Sequence, residues 1–396
     1  MCDKSLPNLI NSSVKTLKLT ATVSPDNSTN KNITWKSSNP NVATVLDGVV
    51  TAKGLGSSTI TATCGGKSAT VKITVKNQTF PVENIILNKT SDTVYLNGNL
   101  KTINLTANVE PSNATDKTVI WSSSDNGVAT VNNGVVNIKG IGSCIITAQA
   151  GNKKASYTLN VRKKIIVIVG ASQVKRLNDN NDSYTSINGY NYNKSDNTLK
   201  FIFLGGSGIP YQYVGGEGWN NTLSFINEYS SLKQYIDFHI FFPLSGNEIK
   251  EFTCSEISSS NSDIKMFANG YNKSIQNLKN QGYHVKGYVT SMHPVRVTES
   301  NKDNVVSNNN KNSCTAGYRS NVKYYTFNKA IKSVIDKNYQ NNLLYESLFV
   351  RIMNVNDEGT NFSFKWDYYH TDDGIHWDSK TSQLYLKEML DYSKEV

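Results

Sequence analysis

The sequence predicts a multidomain chain, with two all-β sandwiches followed by a three-layer α/β/α domain. Three observations carry this. First, Leu19-Thr20-Ala21-Thr22-Val23-Ser24-Pro25 matches Leu105-Thr106-Ala107-Asn108-Val109-Glu110-Pro111, Trp35 matches Trp121, Val42-Ala43-Thr44-Val45 matches Val128-Ala129-Thr130-Val131, and Gly54 and Gly56 match Gly140 and Gly142, every pair 86 residues apart. A fixed spacing without insertion marks two copies of one unit. Second, each copy holds short alternating runs, such as Thr59-Ile60-Thr61-Ala62-Thr63, separated by Gly, Asn and Pro, the pattern of a small antiparallel sandwich. Third, the periodicity changes at Lys163. Strand-like runs at residues 200–204, 238–242 and 285–289 then alternate with helical patterns at residues 222–235, 264–280, 322–337 and 382–392, which argues for a parallel sheet with helices on both faces.

The expected domains are residues 1–77, 82–162 and 163–396. Lys76-Asn77-Gln78-Thr79-Phe80-Pro81 joins the copies, and Val161-Arg162-Lys163 leads with almost no spacer into the third domain, so a semi-rigid rod is expected. Val82-Glu83-Asn84-Ile85-Ile86-Leu87-Asn88 reads as a strand opening the second copy, and the 86-residue spacing sets its counterpart around or before Met1. The first copy is therefore expected to lack its first strand, and the chain to be a fragment or late start of a longer protein. The proline-ended strand, the segment Ile33-Thr34-Trp35-Lys36-Ser37-Ser38 and the Val-Ala-Thr-Val strand make both copies resemble group 2 bacterial immunoglobulin-like domains. That resemblance implies extracellular spacers or adhesive modules on bacterial surfaces or phage particles. Trp35 and Trp121 fit either sugar stacking or, more simply, a core anchor.

The 396 residues with 38% hydrophobic content are sufficient for ordinary cores. A formal charge of +10 raises nucleic acid, but only Arg162, Arg176, Arg296, Arg319 and Arg351 are arginines among 41 basic residues. Phosphate and base reading favour clustered Arg, so a solvated lysine surface and no nucleic-acid partner are expected. Cys2, Cys64, Cys144, Cys254 and Cys314 are widely spaced and form no CxxC pair, so neither a disulfide framework nor a zinc site is indicated, although Cys254 and Cys314 could pair. No metal and no cofactor are expected. No apolar run is long enough to span a membrane, and Met1-Cys2-Asp3-Lys4 does not begin a signal peptide.

Lys164-Ile165-Ile166-Val167-Ile168-Val169-Gly170-Ala171-Ser172 organises the third domain. It reads as a strand buried on both faces that ends in a small-residue turn carrying a serine. Ligands in such sheets sit beyond the carboxyl ends of the strands. Three further blocks follow in order: Leu204-Gly205-Gly206-Ser207-Gly208, Ser245-Gly246-Asn247-Glu248, and Asp373-Gly374-Ile375-His376. Together, over residues 163–396, they resemble the SGNH, or GDSL-like, serine hydrolases, a family with a flavodoxin-like α/β/α fold.

The resemblance implies Ser172 as nucleophile, His376 as its base, and Asp373 to hold the ring and stabilise the imidazolium. It implies an oxyanion hole of the Ser172 backbone N–H, the Gly205 N–H and the Asn247 amide. The chain departs from the family where Ala171 stands for the usual Asp, Ser245 for the usual Gly, and Glu248 where Asp is common. The alternative for Ser172 is an N-cap of the following helix. Ser207 is sufficiently explained by a glycine-rich turn, and His239 reads as a core histidine.

Tyr211, Trp219, His293 and Trp377 surround the blocks and are the candidate substrate-binding residues. Aromatics among Gly, Asn and Asp suit a polar ring-bearing ligand, although several could simply pack the domain edge. The expected function is a surface- or particle-associated esterase that removes short acyl groups, acetyl foremost, from a carbohydrate or cell-wall polymer. The alternative is a binding protein with an inactive hydrolase fold. The expected location is extracellular, at a cell surface or on a phage virion, and the oligomeric state is left open.

Overall fold

The computed structural model describes residues 15–76, 79–179, 185–187, 190–203, 215–244, 249, 252–291, 314, 316, 320–346, 353–355, 362–364, 383–384 and 386–387. The chain divides into two compact units. The first comprises Met1–Ile86, Ala107–Ile120 and Ala148–Ala155, the second Leu87–Thr106, Trp121–Thr147 and Ser156–Val396.

In the first unit, Thr16–Lys18, Val49–Ala52 and Ala43–Leu46 form one antiparallel sheet. Thr34–Ser37, Gly56–Cys64 and Lys67–Val75 form another. Alternation along the strands turns Val50, Ile60, Ile73 and Val75 inward to a core that Trp35 partly covers, so the tryptophan is an anchor. The hairpin turn Asp47-Gly48 has φ +47° and +79°, the backbone of a two-residue turn that matches strand twist. A Cβ on Gly48 would stand 2.5 Å from the Leu19 carbonyl oxygen, so only glycine fits. Ser38 earns its place in the motif by bonding. Its N–H donates to the Thr59 carbonyl (2.9 Å), and its hydroxyl accepts from the Thr59 N–H (2.8 Å).

The second unit repeats these devices in its own sandwich. Asn133-Gly134 makes the same turn, Ser124 makes the same pair of bonds with Ile145, and Trp121 packs on a core of Val136, Ile146, Tyr157, Leu159 and Val161. The expected first strand of the first copy lies outside the described residues.

The strand Lys153–Gly170 (β1) is continuous over 18 residues. Its residues Thr158 to Arg162 pair in parallel with Ser91–Tyr95, and from Lys163 it pairs with Ile236–Pro243 (β3) and, from Ile166, with Leu199–Phe203 (β2). His284–Thr290 (β4) and Leu343–Glu346 (β5) complete a parallel sheet of order β2-β1-β3-β4-β5. The short link expected at residues 161–163 is thus no link, because one strand passes from one sheet into the next.

Residues 165–169 of β1 and Phe238, Ile240, Phe241 and Phe242 of β3 are wholly buried. Consecutive buried side chains require cover on both faces. Ser172–Asp179 (α1), Glu217–Asn227 (α2), Ser262–Asn280 (α3) and Asn321–Asn338 (α4) provide it. The Asn261 side chain caps α3 by accepting from the N–H groups of Asp263 and Ile264. Gly287 lets α3 approach β4, since a Cβ there would meet Ile275 at 2.6 Å.

One expectation is corrected and one open question is answered. The helix read at residues 222–235 runs from Glu217 to Asn227, and Ser230–Tyr235 is a 3-10 turn. Tyr229 breaks it by packing edge-on against both Phe225 and Phe238, with Ser230 and Ser231 beside it to satisfy non-helical backbone. Cys254 and Cys314, whose pairing the sequence left open, form a disulfide. Loop closure at a separation of 60 residues was invisible in their spacing.

Candidate active site

β1 has β2 on one side and β3 on the other, so the chain reverses direction of sheet growth beside β1. A crevice forms at the carboxyl ends of strands at such a switch point. In register, Gly170 lies opposite Phe203, and Ile168 opposite Phe241. The serine block therefore leaves the sheet directly after β1. In the chain, the Gly205 block follows β2, and the Asn247 block follows β3 and Leu244. Three of the four motif blocks thus succeed the carboxyl ends of three adjacent parallel strands.

Ser172 is the first residue of α1. The Ala171 carbonyl accepts from the N–H groups of Val174 (3.0 Å) and Lys175 (3.3 Å), so Ala171 occupies the cap position and not Ser172. The backbone N–H of a first helical residue has no acceptor within its own helix and lies at the positive end of the helix dipole. Such a donor suits a developing oxyanion. Val174 and Leu177, both buried, seat α1 on the sheet, and Ala171 is itself only 8% exposed.

Gly205, Asn247, Asp373, His376, Tyr211, His293 and Trp377 lie outside the described residues, as do Ser207, Ser245 and Glu248. Trp219 is described, and it is corrected from a substrate-side residue to a core one. On α2 it is 2% exposed, with its ring centroid 6.4 Å from that of Phe242. Its position on the inner face of the helix, together with Thr222, Phe225 and Ile226, determines this.

His239 is a core histidine, as expected. It lies opposite Ile166, well before the carboxyl end of β1. Its Nδ1 is 2.7 Å from the Tyr288 hydroxyl and its ring stacks on Tyr288. Burial, with Lys164 nearby, lowers its pKa to about 3, so it is neutral at physiological pH. No group of three His, Cys, Asp or Glu able to hold a metal occurs among the described residues.

A cluster that the sequence reading missed lies at the other end of the sheet. Arg162 grips Asp237 with two bonds (2.9 and 2.5 Å), donates to the Gln234 carbonyl (2.9 Å), and sits 2.9 Å from His284 Nδ1. Tyr95 of the sandwich donates its hydroxyl to the same carboxylate (2.7 Å). Burial pushes the Asp237 carboxyl up, but the bonds from Arg162 and Tyr95 and the guanidinium charge outweigh it, leaving the pKa below the usual value. The Asn97 side chain bonds both the N–H and the carbonyl of Lys164 (3.1 Å each), as a neighbouring strand would. The only hint in the sequence was a lone arginine at a domain boundary.

Residues 7–83 and 81–159 each match the bacterial Ig-like domain (group 2). The two repeats are bacterial immunoglobulin-like domains. An uncharacterized protein of Clostridium acetobutylicum is 28% identical over 375 residues, covering 83% of this chain and 37% of that protein. The similarity thus reaches past the repeats, while the chain spans little more than a third of that relative. An Ig-like virion protein of Serratia phage KSP90 is 31% identical over 151 residues, covering 37% of this chain and 57% of that protein. Among solved structures, surface layer protein SbsC, domains 1–6, is 28% identical over 33% of this chain and 20% of that chain, with a TM-score of 0.20. No described helix is long and apolar enough to cross a membrane.

Proposed function

We propose that residues 163–396 are an SGNH-type serine esterase with a flavodoxin-like fold, which removes short acyl groups from a carbohydrate or cell-wall polymer. The two Ig-like domains hold it at a cell surface or on a virus particle. The observation that carries the reading is chain order: the serine, glycine and asparagine blocks follow, in sequence, three neighbouring parallel strands, and Ser172 opens α1 beside the switch point. The Ig-like virion relative and the Cys254–Cys314 disulfide support the location, since disulfides persist in oxidising surroundings.

In this reading the Ser172 hydroxyl attacks the acyl carbonyl while His376, oriented by Asp373, takes its proton. The negative oxygen of the tetrahedral intermediate is held by the N–H groups of Ser172 and Gly205 and the amide of Asn247. Collapse expels the sugar hydroxyl with the proton from His376. A water then attacks the acyl-serine by the same route in reverse. Tyr211, His293 and Trp377 are the remaining candidates for contact with the glycan.

The test is hydrolysis of p-nitrophenyl acetate and acetate release from purified cell-wall polysaccharides by the full chain and by Ser172→Ala. Release by the wild type and its loss in the variant support the reading. Polysaccharide binding without turnover of either substrate favours an inactive hydrolase fold kept for binding.

A further inference from the structure

The amino ends of β3 and β4, at the opposite end of the sheet from Ser172, border a cavity of about 550 Å³ whose lining includes Asp237, His239, Lys279, His284 and Lys286. Asp237 lies opposite His284 and His239 opposite Lys286 in the parallel register. Side chains two apart along a strand share a face, so these four belong to one face of the sheet. Lys279 comes from the last turn of α3.

The carboxylate in this set is already matched. Asp237 takes two bonds from Arg162 and one from the Tyr95 hydroxyl. Two cations are not matched in this way. Lys279 donates to the Asn341 carbonyl and to the Asn342 side-chain oxygen (2.8 Å each). Lys233, whose Nζ would stand 3.4 Å from a Cβ on the lining residue Gly282, donates to the Gln281 carbonyl (2.6 Å). All three acceptors are neutral, and neither lysine has a carboxylate within ion-pair distance among the described residues. The Arg162 guanidinium can only donate, so His284 Nδ1 at 2.9 Å accepts from it. Nε2 then carries the ring proton, on a side chain that is 54% exposed. Burial first, and the Lys286 charge second, hold the Lys279 ammonium below the ordinary lysine value, and an anion among these groups would offset both.

We propose that this cavity binds a phosphate group, carried on a sugar or free in solution, at a site separate from the candidate active site. Ammonium and imidazole groups arriving from α3, β4 and the turn before β3 suit a tetrahedral group with several charged oxygens. A carboxylate would favour a planar guanidinium fork, and Arg162, the arginine at this end of the sheet, is committed to Asp237. The volume falls in the range of about 300–1,000 Å³ typical of small-molecule sites, more than a bare ion needs, which favours the sugar phosphate as the source.

Isothermal titration calorimetry of the full chain at low ionic strength, with glucose 6-phosphate, inorganic phosphate and glucose, tests this. Glucose 6-phosphate should bind one to one, and glucose should not bind. Weaker binding of inorganic phosphate makes the source a sugar phosphate, while equal or tighter binding makes it free phosphate, and either supports the site. Lys279→Gln should weaken binding at least tenfold. Lys233→Gln, the second variant should the first not fold, should act in the same direction. Lys72→Gln removes an exposed charge from the first Ig-like domain and should leave the affinity within twofold. The proposal is overturned if neither phosphate compound binds the wild type, or if glucose binds as tightly as glucose 6-phosphate. It is equally overturned if folded Lys279→Gln and Lys233→Gln bind as the wild type does, or if Lys72→Gln weakens binding as much as they do, which would mark a diffuse response to net charge.

Discussion

Ala171, and not Ser172, stands at the cap position of α1, so Ser172→Ala removes no cap residue and is expected to move the thermal midpoint by no more than a few degrees. Under the esterase reading, the same variant should lower kcat by about 10⁴-fold or more, and Asn247→Ala by about 10²–10³-fold at nearly constant KM. An unchanged rate in Ser172→Ala would move the chemistry elsewhere. His239 gives an independent residue-scale expectation. Its folded pKa of about 3 lies below the ordinary histidine value of 6.5, so the stability it contributes is complete above the unfolded value and is lost as pH falls toward the folded one. At pH 5 the loss should be roughly 2 kcal/mol, at about 1.4 kcal/mol per unit. Denaturant midpoints between pH 7 and 5 measure it, and His239→Gln should flatten that limb.

At the scale of elements, β1 joins two sheets, and the Arg162–Asp237 pair sits where one hands over to the other. The two side chains are 16% and 18% exposed, so removing one leaves the other charge largely buried. Asp237→Ala should cost about 2–4 kcal/mol, somewhat less than a fully buried pair, and Asn97→Ala about 1–3 kcal/mol through loss of its two bonds to the Lys164 backbone. Chemical denaturation of the full chain tests both. Because the Asp237 pKa is depressed below the ordinary aspartate value of 3.8, the junction's contribution is present above about pH 4 and fades only as pH falls through the folded value. It therefore fails later in an acid titration than the His239 contribution does.

At the scale of the whole molecule, residues 163–396 begin within β1, on the far side of Arg162 from the sandwich. Every candidate catalytic group lies in that piece, so under the esterase reading it should cleave p-nitrophenyl acetate at the rate of the full chain. It lacks Arg162, Tyr95 and Asn97, however, and should melt several degrees below a piece spanning residues 79–396. Each ~1 kcal/mol is worth about 2–4 °C in a domain of this size. Equal melting midpoints for the two pieces would show that the handover along β1 contributes no stability.

The architecture was legible because it is written locally. Two copies at constant spacing mark the Ig-like domains through Trp35, Trp121 and their Ser-Ser pairs. A run of β-branched residues ending at Gly170 marks the buried central strand, and small residues after three strands mark the loops of the candidate site. What only the tertiary structure decided depends on contacts distant in sequence. Composition alone could not tell Trp219 as a core residue from Trp219 as a ligand platform, since that turns on which face of α2 meets Phe242. The Cys254–Cys314 pairing and the grip of Arg162 on Asp237 are of the same kind. Local pattern records what a segment prefers, while burial and partnership are set by whichever distant segment arrives against it.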